Sequence, residues 1–211
     1  MKIVVFGASG GTGRELVKQG VALGHEVSAF VRNPASMDGQ AGVRVVTGDA
    51  RDSVAVVAAM GGQEAVLSAL GSRTLRDSTL LPEAMAAILP AMDRHGVKRL
   101  IVLGAAGAWP GGAGKVSPVG KLIIGLLRTT LLRQAFAAQR AMQELIHASD
   151  TEWTVVQPPF LLNAPARGAF RVDGEGLPPR GMRIARADVA AFMLAQLTNR
   201  EWVRKSPFVA W

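Results

Sequence analysis

Residues 2–17 read Lys2-Ile3-Val4-Val5-Phe6-Gly7-Ala8-Ser9-Gly10-Gly11-Thr12-Gly13-Arg14-Glu15-Leu16-Val17, and the order of their chemistry decides the fold. Ile3 to Phe6 are a continuous apolar run, the mark of a strand buried on both faces. Gly7, Gly10 and Gly13 follow at three-residue intervals, and Arg14 to Val17 begin a helical pattern. Glycines at the mouth of a helix remove the side chains that would keep its free backbone N–H groups from phosphate oxygens. The segment therefore predicts a strand, loop and helix that take the pyrophosphate of a nicotinamide dinucleotide. The competing reading is a tight turn without a ligand, which rarely needs glycine at three spaced positions.

The second strand, Glu26-Val27-Ser28-Ala29-Phe30-Val31, ends at Arg32-Asn33-Pro34. A carboxylate at this place accepts the ribose hydroxyls of NAD, whereas a 2′-phosphate calls for a cation. The chain has Arg32 there and neither Asp nor Glu. A guanidinium holds a phosphate through two parallel charge-assisted bonds of about 1.5–3 kcal/mol each, and about 1.4 kcal/mol is a tenfold preference. NADP(H) is the expected cofactor, with Arg14 placed to assist. The alternative is a solvated loop arginine.

Strand and helix patterns continue to alternate, which predicts a mainly parallel, doubly wound sheet covered on both faces, a three-layer α/β fold. Strands are expected at Val43–Val46, Ala65–Ser68, Lys98–Leu103, Thr154–Gln157 and Pro207–Ala210, with helices over about Asp52–Met60, Ser78–His95, Lys121–Ala148 and Asp188–Leu197. Gly104 to Val119 read as an insertion, and the Gly- and Pro-rich stretch Asn163 to Arg180 breaks the pattern with a composition compatible with a moving lid. At 211 residues, 49% hydrophobic, with mean hydropathy +0.23, the chain is expected to be one domain, residues 1–211, with an ample core. Its longest apolar run, Leu122 to Leu127, is bracketed by Lys121 and Arg128, whereas a bilayer span needs about 20 apolar residues. The first hydrophobic segment runs directly into the glycine loop, so no cleavable leader is expected. With no cysteine there is no disulfide, thiol nucleophile or cysteine metal site, no metal is expected, and a cytoplasmic location is the default. The net charge of +8 is scattered along the chain, reads as a solvated face that attracts anionic ligands, and predicts no nucleic-acid partner.

Ligands of such sheets bind outside the carboxyl ends of the strands. The cofactor loops are therefore Gly7–Gly13, Arg32-Asn33, Gly48-Asp49-Ala50, Ala69-Leu70-Gly71-Ser72-Arg73, Gly104-Ala105-Ala106-Gly107 and Pro158-Pro159-Phe160. Within them Gly7, Ser9, Gly10, Gly11, Thr12, Gly13, Arg32, Asp49, Ala69, Leu70, Gly71, Gly104, Ala105 and Pro158 are the candidate cofactor residues. Asp49 reads equally as an acceptor for the adenine amino group and as a turn residue or cap for the helix starting near Asp52.

Together with the glycine loop, the phrases Val31-Arg32-Asn33-Pro34, Leu70-Gly71-Ser72-Arg73, His95-Gly96-Val97-Lys98-Arg99, Trp153-Thr154-Val155-Val156-Gln157-Pro158-Pro159 and Ala187-Asp188-Val189-Ala190 resemble the atypical short-chain dehydrogenase/reductase group with an NAD(P)H-binding domain. The resemblance covers nearly the whole chain and is similar in length and order to the branch of biliverdin reductase B and flavin reductase. It implies a Rossmann fold, NADP(H), and a substrate stacked over the nicotinamide between the fifth and sixth strands.

Three departures from the group shape the expected chemistry. The chain has no tyrosine, and so no Tyr-x-x-x-Lys pair to protonate a carbonyl. Gly104-Ala105-Ala106-Gly107 stands where members often carry Ser or Thr, and Phe160 stands where that branch has a histidine after its double proline. Lys115 and Lys121 are loop lysines that act as acids only if burial lowers their pKa, and His25, His95 and His147 fall at helix ends or turns. No catalytic side chain is assigned. Hydride transfer to a flat conjugated acceptor, flavin-like or quinone-like, needs no protein acid, because the cofactor supplies the reactivity and the protein the orientation. Ala105 and Ala106 are a small floor for such a ring, and Trp109 and Phe160 are candidates to stack on it, or ordinary core. The absent acids fit equally a non-catalytic NADP(H) sensor acting through a protein partner, with Lys121 to Arg133 as an interaction face. An epimerase or dehydratase is disfavoured by the missing tyrosine.

Overall fold

The computed structural model describes residues 1–71, 79–106, 108 and 133–211. Six strands, β1 (Lys2–Phe6), β2 (Glu26–Val31), β3 (Val43–Thr47), β4 (Ala65–Ser68), β5 (Arg99–Leu103) and β6 (Glu152–Val156), form one sheet in the order β3-β2-β1-β4-β5-β6. All neighbours are parallel, with Val4 opposite Ser28 on one side and Val66 on the other. This is the Rossmann order, reversing between β1 and β4. The helices among the described residues are α1 (Gly11–Ala22), α2 (Ser53–Met60), α3 (Leu80–Arg94), α4 (Arg133–His147) and α5 (Arg186–Ala195).

The period of two in β1 feeds two cores. Ile3 and Val5 join Leu16, Val17, Val189 and Met193 of α1 and α5, whereas Val4 and Phe6 join Met60, Met85, Ile88 and Met142 of α2, α3 and α4. The expected three layers follow from that alternation. Local signals stop and start the helices. At the end of α1, Gly24 takes φ +79°, so that its N–H reaches Val21 O (2.9 Å) and the His25 N–H reaches Gly20 O (3.0 Å), turning the chain into β2. Asp52, not Asp49, caps α2, its Oδ1 accepting from Val54 N at 2.9 Å.

The stretch after Gln157 contains order that its composition does not announce. β7 (Phe160–Leu162) pairs in parallel with β9 (Arg183–Ala185), and β8 (Arg171–Asp173) pairs antiparallel with β10 (Phe208–Ala210). β10 falls where the sequence predicts a strand, Pro207–Ala210, whereas β7, β8 and β9, of three residues each, are too short to show a period among Gly and Pro. Within residues 163–180, read from composition as compatible with movement, Arg167, Gly168 and Arg171 make tertiary contacts. The buried Asp188 carboxylate accepts from Arg167 N and Gly168 N, each at 3.0 Å, and from Trp211 Nε1 at 2.7 Å. Arg167 lies 3.6 Å from the centroid of the Trp211 ring, and Arg171 donates to the carbonyls of Pro179 and Trp211. Trp109, Lys115, Lys121 and the first part of the Lys121–Ala148 helical reading lie outside the described residues. No described helix is long and apolar enough to cross a membrane.

Candidate functional site

A cavity of about 440 Å³ opens at the carboxyl ends of β1 to β4, at the point where the strand order reverses. Gly7, Ser9 and Gly10 line it from the loop after β1, Phe30 to Asn33 and Ser36 from the end of β2, Gly48 to Ala50 after β3, and Ala69 to Gly71 after β4. Arg14 of α1 and Leu80 of α3 complete the wall.

The three spaced glycines have three different physical reasons. Gly7 takes φ +74°, and a Cβ there would stand 2.7 Å from the Ala69 carbonyl, so this loop can cross the end of β4 only as glycine. At Gly10 a Cβ would meet nothing nearer than Gly7 O at 3.3 Å, and its absence keeps the cavity wall open. Gly13 has no access to the cavity, but a Cβ there would stand 2.1 Å from Gly7 O, so glycine lets α1 seat directly on the loop. Gly10 is also the N-cap of α1, where no side chain accepts the free N–H groups and no acidic residue stands in the first turn. The N–H groups of Gly11, Thr12 and Gly13 have no carbonyl one turn back, which leaves the positive end of α1 to an anion.

The second charged feature is the arginine pair on the rim. Arg14 is braced across the mouth, with Nη2 donating to Ser36 O at 2.7 Å and Nε to Ser9 O at 3.2 Å. Arg32 is exposed beside it and makes no hydrogen bond or ion pair among the described residues. Asp49, the one carboxylate lining the cavity among the described residues, is already engaged. Arg51 gives it a backbone bond (2.9 Å) and two guanidinium bonds (3.0 and 2.8 Å), and these hold its carboxyl down at about 2. Asp49 is thus a turn residue that also faces the cavity. An ionised carboxylate tied to its own neighbouring arginine leaves the rim cationic.

The structure brings Gly7, Ser9, Gly10, Arg32, Asp49, Ala69, Leu70 and Gly71 to one cavity. Gly11, Thr12 and Gly13 open α1 behind it. Gly104, Ala105, Ala106 and Pro158 lie at the ends of β5 and β6 instead, the two loops joined by Ala106 N donating to Pro158 O at 3.0 Å. Ala106 is buried with Leu177, Phe208 and Ala210, and Phe160 on β7 is 62% exposed and does not line the cavity. Two glutamine side chains are buried beside these loops. Gln157 Nε2 donates to Gln143 Oε1 at 2.9 Å, and Gln157 Oε1 stands 2.8 Å from where a Gly104 Cβ would be. Of the wall residues beyond the candidate cofactor residues, Asn33, Gly48 and Ala50 belong to loops that the strand-end rule names, and Phe30 and Val31 flank Arg32 within reach of the same rule. Leu80 gave no signal, because it enters from the start of α3.

A family model described as NAD(P)H-binding matches residues 7–200. An isoflavone reductase homolog of Zea mays is 36% identical over 94 residues, 40% of this chain, and the match spans 30% of the maize protein. Among solved structures, ChuY, an anaerobillin reductase from Escherichia coli O157:H7, superposes with a TM-score of 0.81 at 22% identity, covering 100% of this chain and 97% of that one. A short-chain dehydrogenase/reductase from Veillonella parvula in complex with NADP gives 0.79 at 19% identity over 100% and 94%. These structural likenesses show the shared Rossmann fold. With a family match across nearly its whole length and an anion-ready α1 at the reversal of its sheet, the chain belongs to the NAD(P)H-binding family.

Proposed function

We propose that the protein is an NADPH-dependent reductase of flat, conjugated acceptors of the flavin or quinone type, residues 1–211 acting as one unit in the cytoplasm. The observation that carries the cofactor choice is the rim. Among the described residues Arg32 makes no hydrogen bond or ion pair, Arg14 is braced beside it, and Asp49, the one carboxylate that lines the cavity, is held by Arg51. Such a rim favours a 2′-phosphate over a bare ribose diol. When bound, the cofactor supplies hydride from nicotinamide C4, and a conjugated ring that accepts it takes its proton from water. The chain's own residues would then bind and orient it: Gly7, Ser9 and Gly10 with the first turn of α1 would hold the pyrophosphate, Ala69 to Gly71 would flank the ribose, and Gly104 to Ala106 with Pro158 would border the nicotinamide. Ala106, Trp109 and Phe160 are proposed for the acceptor side. Reduction is favoured over epimerisation by the missing tyrosine, and the maize relative is named a reductase homolog.

The test is loss of reduced-nicotinamide absorbance with NADPH or NADH against a panel of flavins and quinones, for the wild type and Arg32→Glu. Saturable turnover that prefers NADPH, with the preference reduced at least about tenfold by Arg32→Glu, is expected. An unchanged preference removes Arg32 from the site. Binding of NADPH without turnover above the protein-free rate assigns the protein to non-catalytic sensing through a partner.

A further inference from the structure

Two glutamines are buried beside the loop that follows β5. Gln157, just past the end of β6, is 1% exposed, and Gln143 of α4 is fully buried. Gln157 Nε2 donates to Gln143 Oε1 at 2.9 Å, and this bond fixes the direction of the Gln157 amide. Gln157 Oε1 and Gln143 Nε2 have no hydrogen-bond partner among the described residues. Buried amide atoms left unpaired destabilise a fold, and Leu or Met side chains of similar volume leave none. Packing alone therefore does not call for two amides here.

The Gln157 amide bears on one backbone position. A Cβ on Gly104 would stand 2.8 Å from Gln157 Oε1, 3.1 Å from Gln157 Cδ and 2.9 Å from Val155 Cγ1. Gly104 is outside the left-handed region, so space and not conformation requires glycine. The chain around this contact is tied at three points. Gly104 N donates to Val156 O at 2.8 Å, Ala106 N to Pro158 O at 3.0 Å, and Gln157 N to Pro207 O at 2.8 Å. The amide is thus a stop against which the Gly104 backbone rests. We propose that Gln157 is a positioning residue, whose amide, aimed by Gln143, sets the depth of Gly104-Ala105-Ala106. It acts through that backbone and not by touching cofactor or acceptor. The inference rests on the reading above, in which this segment borders the nicotinamide, and its test separates the two. A displacement of about 1 Å between reacting groups costs about 100-fold in rate, so the depth of this segment governs hydride transfer more than cofactor affinity.

Gln157→Met keeps the volume but loses the bond that aims the tip, Gln143→Leu leaves the Gln157 amide unaimed, and Gln157→Ala withdraws the stop. Four quantities are measured for each: Tm, the NADPH dissociation constant, the emission of bound NADPH, which reports the surroundings of its nicotinamide, and kcat with its deuterium isotope effect for NADPH labelled at the transferred position. Gln157→Met and Gln143→Leu are expected to lower kcat about 10-fold and Gln157→Ala about 100-fold, with a larger isotope effect, shifted emission and NADPH affinity within about threefold of wild type. Gln157→Met keeps the wild-type Tm. Wild-type kcat and emission in Gln157→Met overturn the inference. A fall in kcat that follows Tm, at unchanged isotope effect and emission, also overturns it and makes Gln157 a core residue only. A wild type that binds NADPH without turnover overturns the reductase reading instead, and the emission of bound NADPH in Gln157→Met then decides the inference by itself.

Discussion

Gly13→Ala isolates the packing role of the glycine loop from its ligand role. The new Cβ would lie 2.1 Å from Gly7 O and 2.8 Å from Ala8 Cα, both backbone atoms that cannot rotate away. An ordinary carbon–oxygen contact is roughly 3.3 Å, so α1 has to retreat by about 1.2 Å from the loop. Leu16 and Val17, both fully buried, ride on the same helix and lose part of their contact with Ile3 and Val5. Overpacking costs about 1–3 kcal/mol in general, and a clash with backbone belongs at the upper end, so about 3 kcal/mol is expected. For a chain of this size that is roughly a 6–12 °C fall in Tm. Gly61→Ala is the control, because its backbone is at φ −56° and the nearest atom to its Cβ would be Ala58 O at 3.8 Å. That variant is expected within about 0.5 kcal/mol of wild type. Urea unfolding followed by linear extrapolation reads both. If Gly13→Ala falls within about 1 kcal/mol of Gly61→Ala, the direct seating of α1 on the loop is refuted.

Asp188→Ala leaves three donors, Arg167 N, Gly168 N and Trp211 Nε1, without their acceptor. A loss of about 4 kcal/mol in urea unfolding is expected from an orphaning cost of about 1–3 kcal/mol per group, with Trp211 fluorescence changing alongside, and a loss under about 1 kcal/mol would show that residues 163–180 are anchored elsewhere. Glu152 has its carboxyl pKa lowered from 4.5, chiefly by the hydrogen bond from Arg200, with Arg99 and Arg204 adding to it. The unfolded chain therefore binds more protons there, so its contribution is fully present above the unfolded pKa and disappears as pH falls through the lower folded value. Glu152→Gln is expected to flatten the acid limb of a urea-midpoint profile below about 4.5, and an unchanged limb would detach the ion pair from stability.

The parts of this fold that repeat are the parts its sequence announced. Ile3 to Phe6, Val27 to Val31 and Ala65 to Ser68 form strands because each is a mainly apolar run with a partner on both sides, and burial on both faces leaves the same mark in each. β7, β8 and β9 left none, since their hydrogen bonds come from distant segments and Phe160 and Arg171 face outward. At the site, strand-end logic found the residues whose backbones or charges lie on loops, but it could not divide the labour among them. Gly13 reads from sequence as another phosphate-clearing glycine, and only the position of Gly7 O gives it a packing reason. Asp49 stayed ambiguous for a similar cause. Nothing in Gly48-Asp49-Ala50-Arg51 says that the arginine folds back on the carboxylate two residues earlier.

That fold-back bears on cofactor choice more than any single rim residue. A carboxylate free at the end of β3 would repel a 2′-phosphate and offset the attraction of Arg32. Three hydrogen bonds from Arg51 engage this carboxylate, and the Arg32 charge adds to holding it ionised, so Arg51 takes up part of the Asp49 charge that would otherwise face Arg32 alone. Releasing Asp49 with Arg51→Ala therefore works against NADPH from a residue outside the cavity wall. The expected result is a weaker NADPH affinity with NADH affinity unchanged, measured by titration at low ionic strength, where exposed charges are least screened. An equal effect on both cofactors would mean that Arg51 shapes the loop after β3 and that the charge of Asp49 plays no part in the choice.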